Sequence, residues 1–391
     1  MPDAPREVWI TGIGIVSSLG EGRDAHWQAL SEGRSGANTE LQTPYTVYPI
    51  VPLNYDQQIA KKGDQRQMEA WQRIGTYAAG LALDDAGLKG NTEILSRMDL
   101  IVAAGGGERD LNVDSAVLSG RPKAENPDAF LNERLMSDLR PTLFLAQLSN
   151  LLAGNISIVH GVTGSSRTFM GEEAAGVDAI RIAFARIRAG QGDIALVGSA
   201  YNGERKEMVL NYEFGSYNRK GAAGSVWDGK GFSLGSLGAF LVIESKEHAE
   251  KRGAKPLARI ASVAADQTKR QPGAVTGFFE KALGALDVRA GESAVVSGVS
   301  GAAAPTAEER DVLGKTNIPV RATQNQIGHG LEVQFPMNIA LATLALQQGS
   351  LYPSQDKSGV EKDGPAKLTQ VLVTGIGHWR GEGLALIEAT H

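Results

Sequence analysis

Residues His160–Ala200 read HGVTGSSRTFMGEEAAGVDAIRIAFARIRAGQGDIALVGSA, and this stretch decides the fold. The run Arg167–Met170 is strand-like, because Thr168 and Phe169 favour extended backbone. It enters a corner at Gly171–Glu173. Beyond the corner, Ala179, Ile182, Ala183 and Ile187 recur at helical spacing, with Arg181, Arg186 and Arg188 elsewhere on the wheel. Gly190 and Gly192 stop the helix. Ile194–Val197 is then a short apolar strand ending at Gly198. Strand, sharp corner, helix and strand together predict an α/β unit. The corner places Glu173 at a helix N-terminus, where unpaired N–H groups favour negative charge and where many enzymes set a nucleophile.

Upstream, Val8–Gly14 predicts a buried strand and Asp24–Ser31 a helix. Gly12 and Gly14 raise a dinucleotide fingerprint, but Ser17 stands where a third glycine belongs and a loop follows. The pattern reads as a tight strand exit, and no cofactor is expected. Residues 38–67 form an irregular surface excursion, Gln67–Ala86 a helix and Leu100–Ala104 a strand. Residues 108–140 look like a helical cap insertion, followed by an apolar helix over Leu143–Leu152. Downstream, residues 203–232 read as irregular and Gly238–Glu244 as a strand. The rhythm then repeats: strand Leu257–Ala264, helix Phe278–Leu286, strand Ala294–Gly298, helix Ala307–Leu313, strand Val320–Thr323, helix Met337–Leu346 and strand Gln370–Thr374. The tetrapeptide TGIG occurs at Thr11–Gly14 and again at Thr374–Gly377, each after an apolar strand. This echo suggests a duplicated unit, with halves at residues 1–245 and 246–391 packed as one body.

Composition narrows the function. A chain of 391 residues suits two fused halves or one large α/β unit. The net charge of −5, with no basic patch, argues against nucleic acid as a partner. No run approaches ~18 apolar residues and the start has no signal-like region, so no membrane span and a cytoplasmic location are expected. The chain has no cysteine, which excludes disulfides, thiolate metal sites and any thiol nucleophile. Gly298–Val299–Ser300–Gly301 is not a GxSxG nucleophile elbow, because Ala302 follows. The acidic pairs Asp84–Asp85, Glu172–Glu173 and Glu308–Glu309 have no histidine cluster beside them in the sequence, and no metal site is expected.

Several of these segments resemble the β-ketoacyl-acyl carrier protein synthases of the thiolase fold, over nearly the full length. The start VWITGIGIVSSLG looks like their first strand. His160–Gly164 with the strand and corner resembles their nucleophile segment. Gly301–Pro305 followed by Glu308–Glu309 resembles their first histidine loop, Thr323–His329 (TQNQIGH) their lysine–histidine loop, and Val371–Gly377 their last glycine-rich strand. The resemblance implies a thiolase-like α/β fold of two pseudo-duplicated halves in α-β-α-β-α layers. It also implies a role for each matched position. The family's cysteine falls on Glu173, its first histidine on Ser300, its second on His329 and its lysine on Gln324, so one of the four parts is retained.

A carboxylate would form a mixed anhydride, a poor store for an acyl chain. Ser300 can donate a hydrogen bond but cannot carry a proton as histidine does. Glu173 therefore reads first as a plug that fills the cysteine's place, favourable at a helix start by ~0.3–1 kcal/mol. The segment FMGEEAAGVDA resembles the cysteine-less chain-length-factor branch, and the whole sequence is similar to the atypical synthase-like proteins of the lipid A very-long-chain fatty acid pathway. The expectation is a non-condensing subunit that meets an acyl carrier protein and pairs with an active synthase, or with itself. In the family resembled, the strand before the nucleophile lies at the dimer interface. Thr168, Phe169 and Met170 are therefore expected at a dimer interface, with Phe169 or Met170 near the partner's active site, where they would line its acyl tunnel. The alternative is a malonyl-carrier decarboxylase that uses His329.

Overall fold

The computed structural model describes residues 5–390, less the side chains of Ala146 and Thr268. The first four residues and His391, assigned by sequence to the outer ends of the two halves, lie outside these. Among the described residues, ten strands run across the main sheet: β1 (Val8–Ser17), β2 (Asp99–Ala103), β3 (Ser166–Phe169), β4 (Ile194–Tyr201), β5 (Leu237–Ser245), β6 (Ala258–Lys269), β7 (Ser293–Ser297), β8 (Val320–Ala322), β9 (Gln370–Ile376) and β10 (Arg380–Glu388), while a short eleventh, Gly20–Glu21, pairs with the end of β1. Their order is β3-β2-β4-β5-β1-β6-β10-β9-β7-β8. On one side of the β1–β6 junction, β2 runs parallel to β3 and β4, while β4–β5 and β5–β1 are antiparallel. On the other side, β7 runs parallel to β8 and β9, while β9–β10 and β10–β6 are antiparallel. The same five-strand pattern occurs twice, so the duplication is real.

The TGIG echo that suggested the duplication does not mark it. Thr11–Gly14 lies on β1, whose counterpart is β6. Thr374–Gly377 closes β9, whose counterpart is β4. The four-residue match is coincidental: Thr11–Gly14 lies inside β1, which runs on to Ser17 rather than ending at Gly14 as expected, and only Thr374–Gly377 sits at a strand exit.

The two half-sheets touch edge to edge over only three residue pairs, Val8–Ile10 with Ala258–Ile260. Six helices cover and separate the half-sheets: α1 (Ala70–Asp85), α2 (Leu151–His160), α3 (Glu173–Arg188), α4 (Ala274–Gly284), α5 (Ala303–Thr316) and α6 (Gln334–Gln348). Helices α3 and α6 pack against each other and against strands of both halves, forming the central layer. Helix α1 lies against β1, β4 and β5 with α2 beside it, and α4 lies against β6 and β10 with α5 beside it. Five layers result, α-β-α-β-α. The sequence of α6 explains its place: Phe335–Leu346 is buried on every face, as a helix between two sheets must be.

Several elements depart from the sequence reading. The helix expected over Leu143–Leu152 is two pieces, Leu143–Ala146 and α2. Between them the Ser149 hydroxyl donates to the Gly105 carbonyl at 2.6 Å, and the chain turns there to make that bond. The helix expected from Gln67 starts at Ala70, because Glu69 and Gln72 form a reciprocal capping box. Within the stretch read as irregular, Lys206–Phe214 is helical, with Val209 and Tyr212 buried three residues apart. Met170, expected at the end of a strand, lies just beyond β3.

Candidate functional site

The corner between β3 and α3 is one of the strained points among the described residues. Gly171 has φ +136° and Glu172 has φ 57°, ψ −136°, a conformation that non-glycine residues rarely hold. The Glu172 carboxylate fixes it in place. Its Oε1 accepts from the Tyr212 hydroxyl at 3.0 Å, and its Oε2 accepts from the Trp379 indole N–H. The next residue, Glu173, opens α3 as expected and is buried.

The Glu173 carboxylate is the centre of the site. His329 Nε2 lies 2.8 Å from Oε1, and His378 Nδ1 lies 3.0 Å from Oε1 and 3.1 Å from Oε2. The backbone N–H of His378 also donates to Oε1 at 3.3 Å. Burial alone would raise the pKa of Glu173, but the charge of His378 and the hydrogen bond from His329 outweigh it, and the carboxyl is held below the usual range. Facing an ionised carboxylate, both ring nitrogens must carry protons. Burial works against a charged His378, but the Glu173 carboxylate prevails, with Glu172 adding to it, and the pKa of His378 is raised. The His378 ring is packed edge-on against Tyr217 at 4.5 Å and Tyr212 at 5.5 Å.

His378 was not singled out in the sequence, and the view that no histidines accompany Glu172–Glu173 is corrected here. Two do, from positions 156 and 205 residues away. The signal was the triplet His378–Trp379–Arg380, large polar and aromatic residues directly after a glycine-rich strand exit. Atoms of Glu172, Glu173 and His378 come within 4.8 Å of one another, close enough in distance for a cation. Yet all four carboxylate oxygens already accept hydrogen bonds from the protein. The cluster is closed without an ion.

The other expected site residues converge on one crevice. Ser300, Gln324 and His329 line it with Phe232, and its volume is about 20 Å³, room for one water molecule. The Ser300 hydroxyl accepts from the Ala302 N–H at 3.2 Å. Both amide atoms of Gln324 and Nδ1 of His329 are buried without a partner in the protein. His329 is fixed by its backbone, its N–H donating to Ser233 and its carbonyl accepting from Gly235.

A larger cleft, about 400 Å³, opens on the other side of the corner, lined by Met170, Glu172, Tyr201, Leu331, Glu332 and Trp379 among others. Met170 is 66% exposed, while Thr168 and Phe169 on β3 are half-buried. Among the described residues, β3 pairs with β2 alone and its other edge is open. Leu100 N–H donates to the Ser165 carbonyl and Ala104 N–H to the Phe169 carbonyl. In a parallel ladder this alternation directs the N–H of Thr168 to the open edge.

Residues 5–249 match the family described as beta-ketoacyl synthase, N-terminal domain. The chain is 27% identical over 272 residues to a 3-oxoacyl-[acyl-carrier-protein] synthase 2 of Vibrio cholerae serotype O1, covering 65% of this chain and 62% of that one, less than two thirds of its length. It is 26% identical over 390 residues to a putative mitochondrial 3-oxoacyl-[acyl-carrier-protein] synthase of Schizosaccharomyces pombe, covering 89% and 88%. Among solved structures, the ishigamide ketosynthase/chain length factor superposes with a TM-score of 0.81 at 22% identity, covering 99% of this chain and 100% of that one, a likeness of fold. No helix among the described residues is long and apolar enough to cross a membrane.

Proposed function

The chain belongs to the β-ketoacyl synthase family, and on that premise we propose that it is a non-condensing, chain-length-factor-like subunit that pairs with a cysteine-bearing synthase in acyl-chain elongation. The observation that carries this reading is the Glu173 carboxylate held between His329 and His378. An ionised carboxylate that accepts three hydrogen-bond donors has its lone pairs committed and is a weak nucleophile. In this reading Glu173 takes the nucleophile's place, Ser300 and Gln324 the places of the first histidine and the lysine, and His329 the second histidine's. The acyl carrier protein is the donor that the relatives' names point to. The lipid A very-long-chain pathway is the setting that the sequence resemblance suggests.

The decarboxylase alternative finds less support. A donor to a thioester carbonyl must have its N–H free, and His329 Nε2 is spent on Glu173. The 20 Å³ crevice beside Ser300 and Gln324 is too small for a malonyl group.

Pairing is supported by the open edge of β3, flanked by Met170 and by Ile158 of α2, 66% and 72% exposed. An interface of this kind is expected to bury more than ~2,000 Å². Co-expression with a cysteine-bearing synthase from the same genome, followed by affinity capture and light scattering, tests the reading. A one-to-one complex is expected. A chain that stays apart from every such synthase would overturn it.

A further inference from the structure

The 400 Å³ cleft is not a plain hydrocarbon channel. Met170, Met208, Leu331 and Trp379 supply apolar wall. Trp71, Tyr201 and Glu332 also line it, at 2%, 5% and 3% exposure. Each carries a polar atom with no partner in the protein: Nε1 of Trp71, the hydroxyl of Tyr201 and Oε2 of Glu332. Buried polar atoms are nearly always paired, so three orphans lining one cleft mark a place where something else supplies the bonds. Gly105, on the cleft wall, leaves room for the Glu332 carboxyl, since a Cβ there would lie 2.3 Å from Oε1.

The electrostatics restrict what enters. Glu172 and Glu332 bring carboxyls to the cleft. Arg205 is its cation, but it is tied to Glu207 at 2.9 Å and to the Gly106 carbonyl at 3.2 Å. A free carboxylate would meet negative charge without a free cation to offset it. Burial, with Glu172 and Glu173 adding to it, pushes the Glu332 carboxyl up to about 7, so near neutrality it can donate or accept.

We propose that the cleft takes a neutral, medium-length acyl chain bearing a hydroxyl group, and that Trp71, Tyr201 and Glu332 select it over the bare hydrocarbon. The inference deepens the reading above, since a subunit that lines a chain's path would here choose chains by their oxygen.

The test is calorimetric titration of the full chain with N-acetylcysteamine thioesters of dodecanoate, 3-hydroxydodecanoate and 12-hydroxydodecanoate, and with free dodecanoate. A hydroxylated thioester is expected to bind about tenfold more tightly than the dodecanoyl thioester, the worth of one or two buried hydrogen bonds. Free dodecanoate is expected to bind most weakly. Tyr201→Phe, which preserves the side chain's shape, should erase most of the preference, bringing the hydroxylated thioesters toward the affinity of the dodecanoyl thioester. Glu332→Gln gives the second, independent reading. Equal affinity for all thioesters, a preference that survives both substitutions, or no binding at all, as when water alone satisfies the three groups, would overturn the proposal. Discrimination by a chain that pairs with no synthase would sink the partner reading and leave this inference standing. Pairing without discrimination would do the reverse.

Discussion

Replacing Glu173 by glutamine removes one charge and almost no volume, so the effect reports the carboxylate itself. The wild-type carboxylate accepts from His329 Nε2 at 2.8 Å, His378 Nδ1 at 3.0 Å and His378 N–H at 3.3 Å, with all three residues buried. A hydrogen bond to a charged group contributes ~1.5–3 kcal/mol, and removing one partner of a buried pair costs ~3–5 kcal/mol. A loss of about 3 kcal/mol is expected. Unfolding entropy of about 2.1 cal/mol/K per residue gives about 0.8 kcal/mol/K for this chain, so the melting temperature should fall by about 4 °C.

The pH dependence is the sharper test. The depressed pKa of Glu173 contributes stability that is present above its unfolded value near 4.3 and is lost as pH falls through the folded value. The raised pKa of His378 contributes stability that is full below 6.5 and is lost as pH rises through its folded value. The deficit of Glu173→Gln should therefore be largest from about pH 4.5 to 6.5 and smaller at pH 9. Scanning calorimetry of both proteins across this range decides it. Equal melting temperatures at pH 6, or a deficit that grows toward pH 9, would refute the ion-pair reasoning.

Other outcomes follow from single residues. Thr168→Pro deletes an N–H that points away from β2, so the fold should survive while light scattering shows weakened assembly. An unchanged complex would remove β3 from the interface. Glu309 is buried, with Oε1 accepting from Ser297 and Thr374, and burial pushes it up to about 7. An acid raised this way costs stability as pH climbs from about 4.5 to 7, so Glu309→Gln should match wild type at about pH 4 and exceed it by up to about 3 kcal/mol at pH 8. An identical pH profile in denaturant titrations would count against that assignment. Incubation with malonyl carrier protein should release no CO₂ above background. Release that disappears in His329→Ala would restore the decarboxylase reading.

The corner was legible because its two signals are local. Ala179, Ile182, Ala183 and Ile187 give the helix its period, and Gly171 marks the turn, so Glu173 was placed at the first helical position. The cluster around it was only partly legible. Resemblance placed Glu173 and His329 in one site, but nothing local ties either to His378, because β9 alone carries His378 there. The strand after it was missed for a related reason: Gly381 and Gly383 blur the alternation over Arg380–Glu388 that would have announced β10. The duplication was inferred correctly from the wrong peptide, because strand topology repeats where sequence no longer does. The polar floor of the cleft was invisible, since Trp71, Tyr201 and Glu332 each read as an ordinary helix, strand or loop residue.

The central claim is that this synthase-family chain forms no covalent acyl intermediate, because a carboxylate clamped by two histidines stands where we propose the family's nucleophile would be. Intact-protein mass spectrometry after incubation with acyl carrier protein loaded with a saturated chain tests it directly, with a cysteine-bearing synthase as the positive control. The expected result is a quantitative acyl adduct on the control and an unchanged mass for this chain. An acyl adduct mapped to Glu173, or β-ketoacyl product formed by this chain alone once malonyl carrier protein is added, would contradict it.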